Sequence, residues 1–170
     1  HWVHRVFNET YFRARPPSIG KLEREEASFV FEALGLSSGS RVLDAGCGFG
    51  RLSIPLSELG AHVLALDISV DMTTKTIAFA KEAKVKLDVR EGDFRRCHYE
   101  TAFDAIVCAD TTFGSYSDAD NLSTLQAFHD SLKPQGKLYV EVINRDACIR
   151  ELPGRTWWEG RGCLVPEDSE

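Results

Sequence analysis

The sequence predicts a doubly wound α/β domain, a mostly parallel, Rossmann-like sheet with helices on both faces. Three observations carry this expectation. Five short apolar runs between Val42 and Ile143 alternate with helix-length segments, the pattern of parallel strands joined by right-handed crossovers. The fourth run, FDAIVCA (Phe103 to Ala109), is apolar almost throughout, as a strand covered on both faces should be. The first run ends in a glycine-rich loop, RVLDAGCGFGRL (Arg41 to Leu52), that opens onto a helix.

Each element has its own signal. Residues 1–19 mix aromatics with arginines and stop at Pro16-Pro17, which reads as an arm or lid. Residues 20–170 form the main domain. A helix is expected from Lys21 to Leu34, with Phe29, Val30 and Leu34 on its inner side and Gly35 as its stop signal. Val42 and Leu43 make the first strand, ending at Asp44; a helix follows from Arg51 to Leu59 and closes at Gly60. HVLALD (His62 to Asp67) is the second strand, and Val70 to Glu82 the helix after it. Alternation of Val85, Leu87 and Val89 marks the third strand. Ser117 and Asp120 form a capping box for a helix to Leu132. Pro134 and Gly136 then turn the chain into KLYVEVI, the fifth strand. GCLVPEDSE reads as the start of a sixth, so the C-terminal strands of the sheet are expected to be truncated. An open edge left in this way is a surface that a second copy can cover as a homodimer.

Composition narrows the function. The 170 residues, 43% apolar and 27% charged, suit one globular domain. A net charge of -6 argues against nucleic acid as a partner, because that binding rests on Lys and Arg neutralising phosphates. The five cysteines are widely spaced and form no CxxC pair, which fits reduced thiols in a cytoplasmic protein. No apolar run approaches membrane-spanning length.

The glycine loop defines the ligand. A dinucleotide site asks for G-x-G-x-x-G, whereas this loop reads D-x-G-x-G-x-G, with Arg51 where the third glycine would stand. The Asp44 carboxylate would repel a pyrophosphate, and suits a cationic ligand instead. With these features the sequence resembles the class I S-adenosylmethionine-dependent methyltransferases of the small-molecule type, over about Lys21 to Asn144. VLDAGCGFG resembles their first motif and VLALDIS their second-strand motif. EGDF is similar to their adenine motif.

The resemblance implies a site for S-adenosyl-L-methionine, with S-adenosyl-L-homocysteine as product. Gly46, Gly48 and Gly50, with Ala45 and Cys47, would pass under the cofactor, and Asp44 would lie near its amino group. Asp67, 23 residues after Asp44, would accept from the ribose hydroxyls, with Ile68 and Met72 beside it. Asp93 would take the adenine amine, with Gly92 and Phe94 along the ring. Ala109 and Asp110 would flank the methionine moiety, and Tyr11 of the arm would fold over it. For the methyl acceptor, the expected lining is Phe113, Tyr116, Arg145, Trp157 and Trp158.

The chemistry implied is methyl transfer to N or O of a small molecule. Placing the nucleophile and excluding water accomplish most of it, so no residue is assigned as a general base. His98 and His129 read as solvent-facing, and Cys108 as a small core residue. Asp110, Asn144 and Asp146 resemble a metal set only loosely, and no metal is assigned. Two other readings stand beside this one: an RNA or protein methyltransferase, and a non-catalytic cofactor-binding subunit that needs a partner chain.

Overall fold

The computed structural model describes residues 2–151 and 154–168. Its central sheet has five strands: β1 (Arg41–Ala45), β2 (His62–Asp67), β3 (Asp88–Glu91), β4 (Phe103–Cys108) and β5 (Leu132–Val140). Their order is β3-β2-β1-β4-β5, and every pairing is parallel. The order reverses between β1 and β4, and the carboxyl ends of those strands flank the crevice where such sheets bind ligands.

Strand alternation sends neighbouring side chains to opposite faces, and the two faces carry two cores. On one, Val42, Val63, Ala105 and Val107 pack with Ala27 and Val30 of α3 (Lys21–Ala33), with Leu34 at its C-cap, and with Leu56 of α4 (Ser53–Glu58). On the other, Leu43, Leu64, Leu66, Ile106 and Cys108 pack with Phe94 and with Phe128 of α6 (Asp118–Ser131). This is the doubly wound architecture expected. The inner side of α3 differs in one residue: Phe29 is 61% exposed, while Ala27, Val30 and Leu34 are buried. The helical repeat turns Phe29 about 100° away from Val30 and so off the core stripe.

Several boundaries shift for local reasons. α4 starts at Ser53 because residues 47–52 are spent in turns. β3 starts at Asp88 because residues 84 and 85 finish α5 (Val70–Ala83): Lys84 is left-handed and the Val85 amide donates to Ala80 O at 3.1 Å. β5 starts earlier than expected, at Leu132, and its register slips between the pairs Phe103–Leu132 and Ala105–Lys137. It also ends earlier, and Val142 and Ile143 are exposed. Beyond them Asn144 Oδ1 accepts from the amides of Asp146 and Ala147 at 3.1 Å, which caps α7 (Arg145–Glu151), a helix absent from the sequence reading.

The C-terminal residues correct the expectation of a sixth strand starting in the main sheet. β6 (Arg155–Gly160) and β7 (Cys163–Asp168) form their own antiparallel hairpin, with Gly160 opposite Cys163. The two-residue turn Arg161-Gly162, with Gly162 at φ 67°, folds this segment back on β6. The arm is two short helices, α1 (Trp2–Val6) and α2 (Glu9–Ala14). The hairpin clasps α2: Arg161 N donates to Arg13 O, and Trp158 Nε1 donates to Ala14 O at 3.1 Å. No helix among the described residues is long and apolar enough to cross a membrane.

The two cores make a paired stability test. Phe128 is fully buried, so Phe128→Ala should cost about 3–5 kcal/mol in urea unfolding. Phe29→Ala should change stability by less than about 0.5 kcal/mol. Equal losses would show that Phe29 belongs to the core after all.

Candidate functional site

The glycine loop is held by the strand beside it. Gly46 N and Cys47 N both donate to Leu66 O, at 2.8 and 3.0 Å. Asp67, at the end of β2, accepts from Gly48 N through Oδ2 at 2.9 Å and from Ser69 N through Oδ1 at 2.8 Å. Thr76 of α5 donates to Gly48 O at 2.8 Å. The loop is therefore fixed by the protein itself.

Two glycines are required for different reasons. At Gly46 (φ 81°) an added Cβ would meet Thr112 Cγ2 at 2.3 Å, so the loop and the turn after β4 touch at that point. At Gly48 (φ 56°) an added Cβ would meet no protein atom within 4 Å. Its open side faces a cavity of about 320 Å³, within the span of small-molecule sites, roughly 300–1,000 Å³.

That cavity gathers most of the residues expected from the sequence. Asp44, Gly46, Cys47, Gly48, Asp67, Ile68, Met72, Phe94, Ala109, Asp110, Tyr11 and Tyr116 line it. Ala45, Gly50, Gly92 and Asp93 stand behind the lining. Ala45 is in the second core, and Gly92 N donates to Asp67 O at 2.8 Å. Gly50 N closes the loop on Cys47 O at 2.9 Å. Asp93 accepts from the Arg95 guanidinium at 2.6 Å and from the Arg95 amide at 3.0 Å. Burial works against its charged form, but these bonds hold its carboxyl below the usual range.

The remaining expected residues are dispersed. Phe113 packs on the second core. Arg145 is exposed on α7, 3.6 Å from Asp146. Trp157 is exposed on the hairpin, while Trp158 packs under Arg15, whose guanidinium lies 4.7 Å from the ring centre.

Trp2, Val3, Phe7, Phe49, Arg51, Leu52, Thr111 and Thr112 were not singled out from sequence, and with Ser115 they complete the wall. The aromatics of the arm were the available signal. Arm and sheet are joined where Ser69 Oγ donates to Phe7 O at 2.8 Å. Phe7 and Tyr11 meet edge-on at 5.2 Å, and Trp2 and Tyr116 lie 6.3 Å apart. The aromatic wall thus comes from the arm and from the loop after β4 together.

The electrostatics centre on Asp44. Its carboxylate is buried, and Ser53 Oγ donates to it at 2.5 Å. Burial pushes its pKa up to about 6, against the Ser53 hydrogen bond and the Arg51 charge; the Asp67 charge adds to the rise. Arg51 is itself occupied: its guanidinium pairs with both oxygens of Glu26 and reaches Glu141 at 3.4 Å. The cavity presents carboxylates, aromatic faces and backbone to a ligand. Cys47 is buried, and burial drives its thiol far up, so it is inert as a nucleophile.

The chain is similar to proteins already known. The sequence profile of the methyltransferase domain family matches residues 42–136. A glycine/sarcosine N-methyltransferase of Aphanothece halophytica is 33% identical over 129 residues, 74% of this chain and 49% of that protein. A ubiquinone biosynthesis O-methyltransferase of Xanthomonas axonopodis pv. citri is 34% identical over 110 residues, 64% of this chain and 45% of that protein. The chain thus spans about half the length of the curated relatives it matches. The solved structure of the CcbJ methyltransferase from Streptomyces caelestis superposes with a TM-score of 0.72 at 23% identity. That match covers 91% of this chain and 62% of the other, and shows a shared fold.

Asp44 gives a pH test. A proton held by the folded state up to about pH 6 but released by the unfolded chain near 3.8 stabilises the fold. That contribution is complete below about pH 4 and is lost as pH rises through about 6. Asp44→Asn removes the cost of the buried charge, on the order of 2–3 kcal/mol. Urea unfolding should therefore find the variant more stable than the parent at pH 8 and matched with it at pH 4. A difference that does not vary with pH would show that Asp44 titrates like an exposed acid.

Proposed function

Because the chain belongs to the methyltransferase domain family, of the class I S-adenosylmethionine-dependent type, we propose that its cavity binds S-adenosylmethionine and presents it to a small-molecule acceptor. The observation that supports this most is Gly48: a left-handed, Cβ-less position over open space, held from behind by Asp67 and Thr76. A ligand lying along the loop would contact backbone there.

When bound, S-adenosylmethionine supplies an electrophilic methyl group on a sulfonium and leaves as S-adenosylhomocysteine. The chain's own residues bind and orient. Asp44 offers a buried carboxylate to the ligand's ammonium group. Asp67 anchors the ribose end through whatever acceptor capacity the loop amides leave. Ile68, Met72 and Phe94 supply the apolar walls, while Ala109 and Asp110 border the reactive end. Tyr11, Phe7 and Trp2 of the arm exclude water, which strengthens electrostatic contacts inside. Holding two reactants within near-attack distance accounts for a large share of such a rate enhancement, so the reading assigns no residue as general base.

The fit is chemical as well as steric. Among the described residues that wall the cavity the only guanidinium, Arg51, is already paired with carboxylates. A pyrophosphate would therefore meet acids with no free cation to offset them. A ligand carrying an ammonium and a sulfonium meets complementary charge.

Calorimetry on the intact protein tests the reading. S-adenosylhomocysteine should bind, NADH should not, and affinity should rise with pH through about 6 as Asp44 ionises. NADH binding without S-adenosylhomocysteine binding would reverse the assignment. Gly48→Ala should cost only about 1 kcal/mol of stability, the penalty for a left-handed alanine, while reducing S-adenosylhomocysteine affinity by at least tenfold, about 1.4 kcal/mol. Unchanged affinity would remove the loop from the site.

A further inference from the structure

The turn that follows β4 is unusual in its backbone. Asp110 and Thr111, neither a glycine, are both left-handed, at φ 55° and 56°, a conformation that side-chain-bearing residues adopt as rare single positions. Both line the cavity, and the next residue, Thr112, is the one whose side chain sits over Gly46. The position of this turn therefore sets the gap between the glycine loop and the opposite wall.

One residue outside the cavity lining accounts for most of the turn's hydrogen bonds. Glu141, just past β5, accepts from Asp110 N through Oε2 at 2.9 Å. Its backbone carbonyl accepts from Thr111 N at 3.2 Å, and its own amide donates to Cys108 O at 3.0 Å. The same Oε2 lies 3.4 Å from Arg51 Nη2, and Arg51 is held from α3 by Glu26. Glu141 thus links the turn to the first residue past the glycine loop.

We infer that Glu141 is a positioning residue: its carboxylate, through the Asp110 amide, holds the left-handed turn that its backbone carbonyl continues at Thr111, and so sets the width of the cavity where the reactive end of the ligand would lie. The ligand part of this inference rests on the proposed function; the backbone part does not. Glutamine can keep the contact, since its side-chain oxygen also accepts from the Asp110 amide, whereas alanine cannot.

The experiment compares Glu141→Ala and Glu141→Gln with the parent, by amide hydrogen exchange without ligand and by calorimetry with S-adenosylhomocysteine. In Glu141→Ala the Asp110 amide should exchange at least tenfold faster while the Ile106 amide of β4 keeps its rate. S-adenosylhomocysteine affinity should fall about tenfold, the usual effect of losing a hydrogen bond to a charged group. Glu141→Gln should restore both to within about twofold, since the Arg51 contact it gives up is partly exposed and contributes little. An Asp110 rate unchanged by Glu141→Ala, or a glutamine variant as impaired as alanine, overturns the inference. So does accelerated Asp110 exchange with intact affinity. A parent protein that does not bind S-adenosylhomocysteine overturns the proposed function instead, and the exchange rates still decide whether Glu141 holds the turn.

Discussion

The arrangement depends on one carboxylate. Asp67 ends β2 and spends its oxygens on two backbone amides, Gly48 in the loop before it and Ser69 at the start of α5. A single side chain thereby ties a strand end, a loop and a helix start together. Without it the Gly48 and Ser69 amides would lose their acceptor, and an unmade buried hydrogen bond costs about 1–3 kcal/mol. Because the loop is already in place, ligand binding has little ordering entropy left to overcome.

Asp44 balances this from the neighbouring strand. It is buried and sits near a second acid, so its charged form is disfavoured at mildly acidic pH despite the short hydrogen bond it receives from Ser53. A parallel sheet pays a real stability penalty for keeping an acid at that strand end. Such penalties concentrate where a fold meets a ligand, and a cationic ligand would relieve this one. The same fold supports many chemistries, so it is this acid and this loop, and not the sheet alone, that point toward methyl transfer.

Much of this was legible in the sequence because it is written in local pattern. Strand alternation, the D-x-G-x-G-x-G loop and the spacing from Asp44 to Asp67 depend on residues close in the chain. The Ser117 cap is present, with the Asp120 amide bonded to the serine hydroxyl at 3.2 Å, but Asp120 Oδ2 accepts from that same hydroxyl at 2.7 Å where a full capping box would have it accept from the Ser117 amide. What escaped was set by competing side-chain contacts, by helical angle and by partners far along the chain. Asp93 was assigned toward the adenine, yet Arg95 claims its carboxylate two residues on. Phe29 has the hydrophobicity of a core residue but the wrong helical angle. Nothing near Trp157 and Trp158 in the sequence says that their strand pairs with β7 and packs against the arm. Arg51 and Glu141 stand 90 residues apart, and no periodicity reveals such a pair.

The clasp between the hairpin and α2 carries a consequence for how the molecule assembles. Trp158 and Ala14 are 144 residues apart, and Arg13 and Gly162 are 149. Closing so long a loop is entropically slow, whereas the sheet forms from strands that are much nearer neighbours. During synthesis the arm emerges well before the hairpin, and it cannot make these bonds until residues 158–162 have left the ribosome. The cavity's floor is thus built by early, short-range contacts and its arm-side wall is secured by late ones. A nascent chain would hold a finished glycine loop beneath an arm not yet clasped by the hairpin, its outer side open to solvent until β6 and β7 arrive to fasten it.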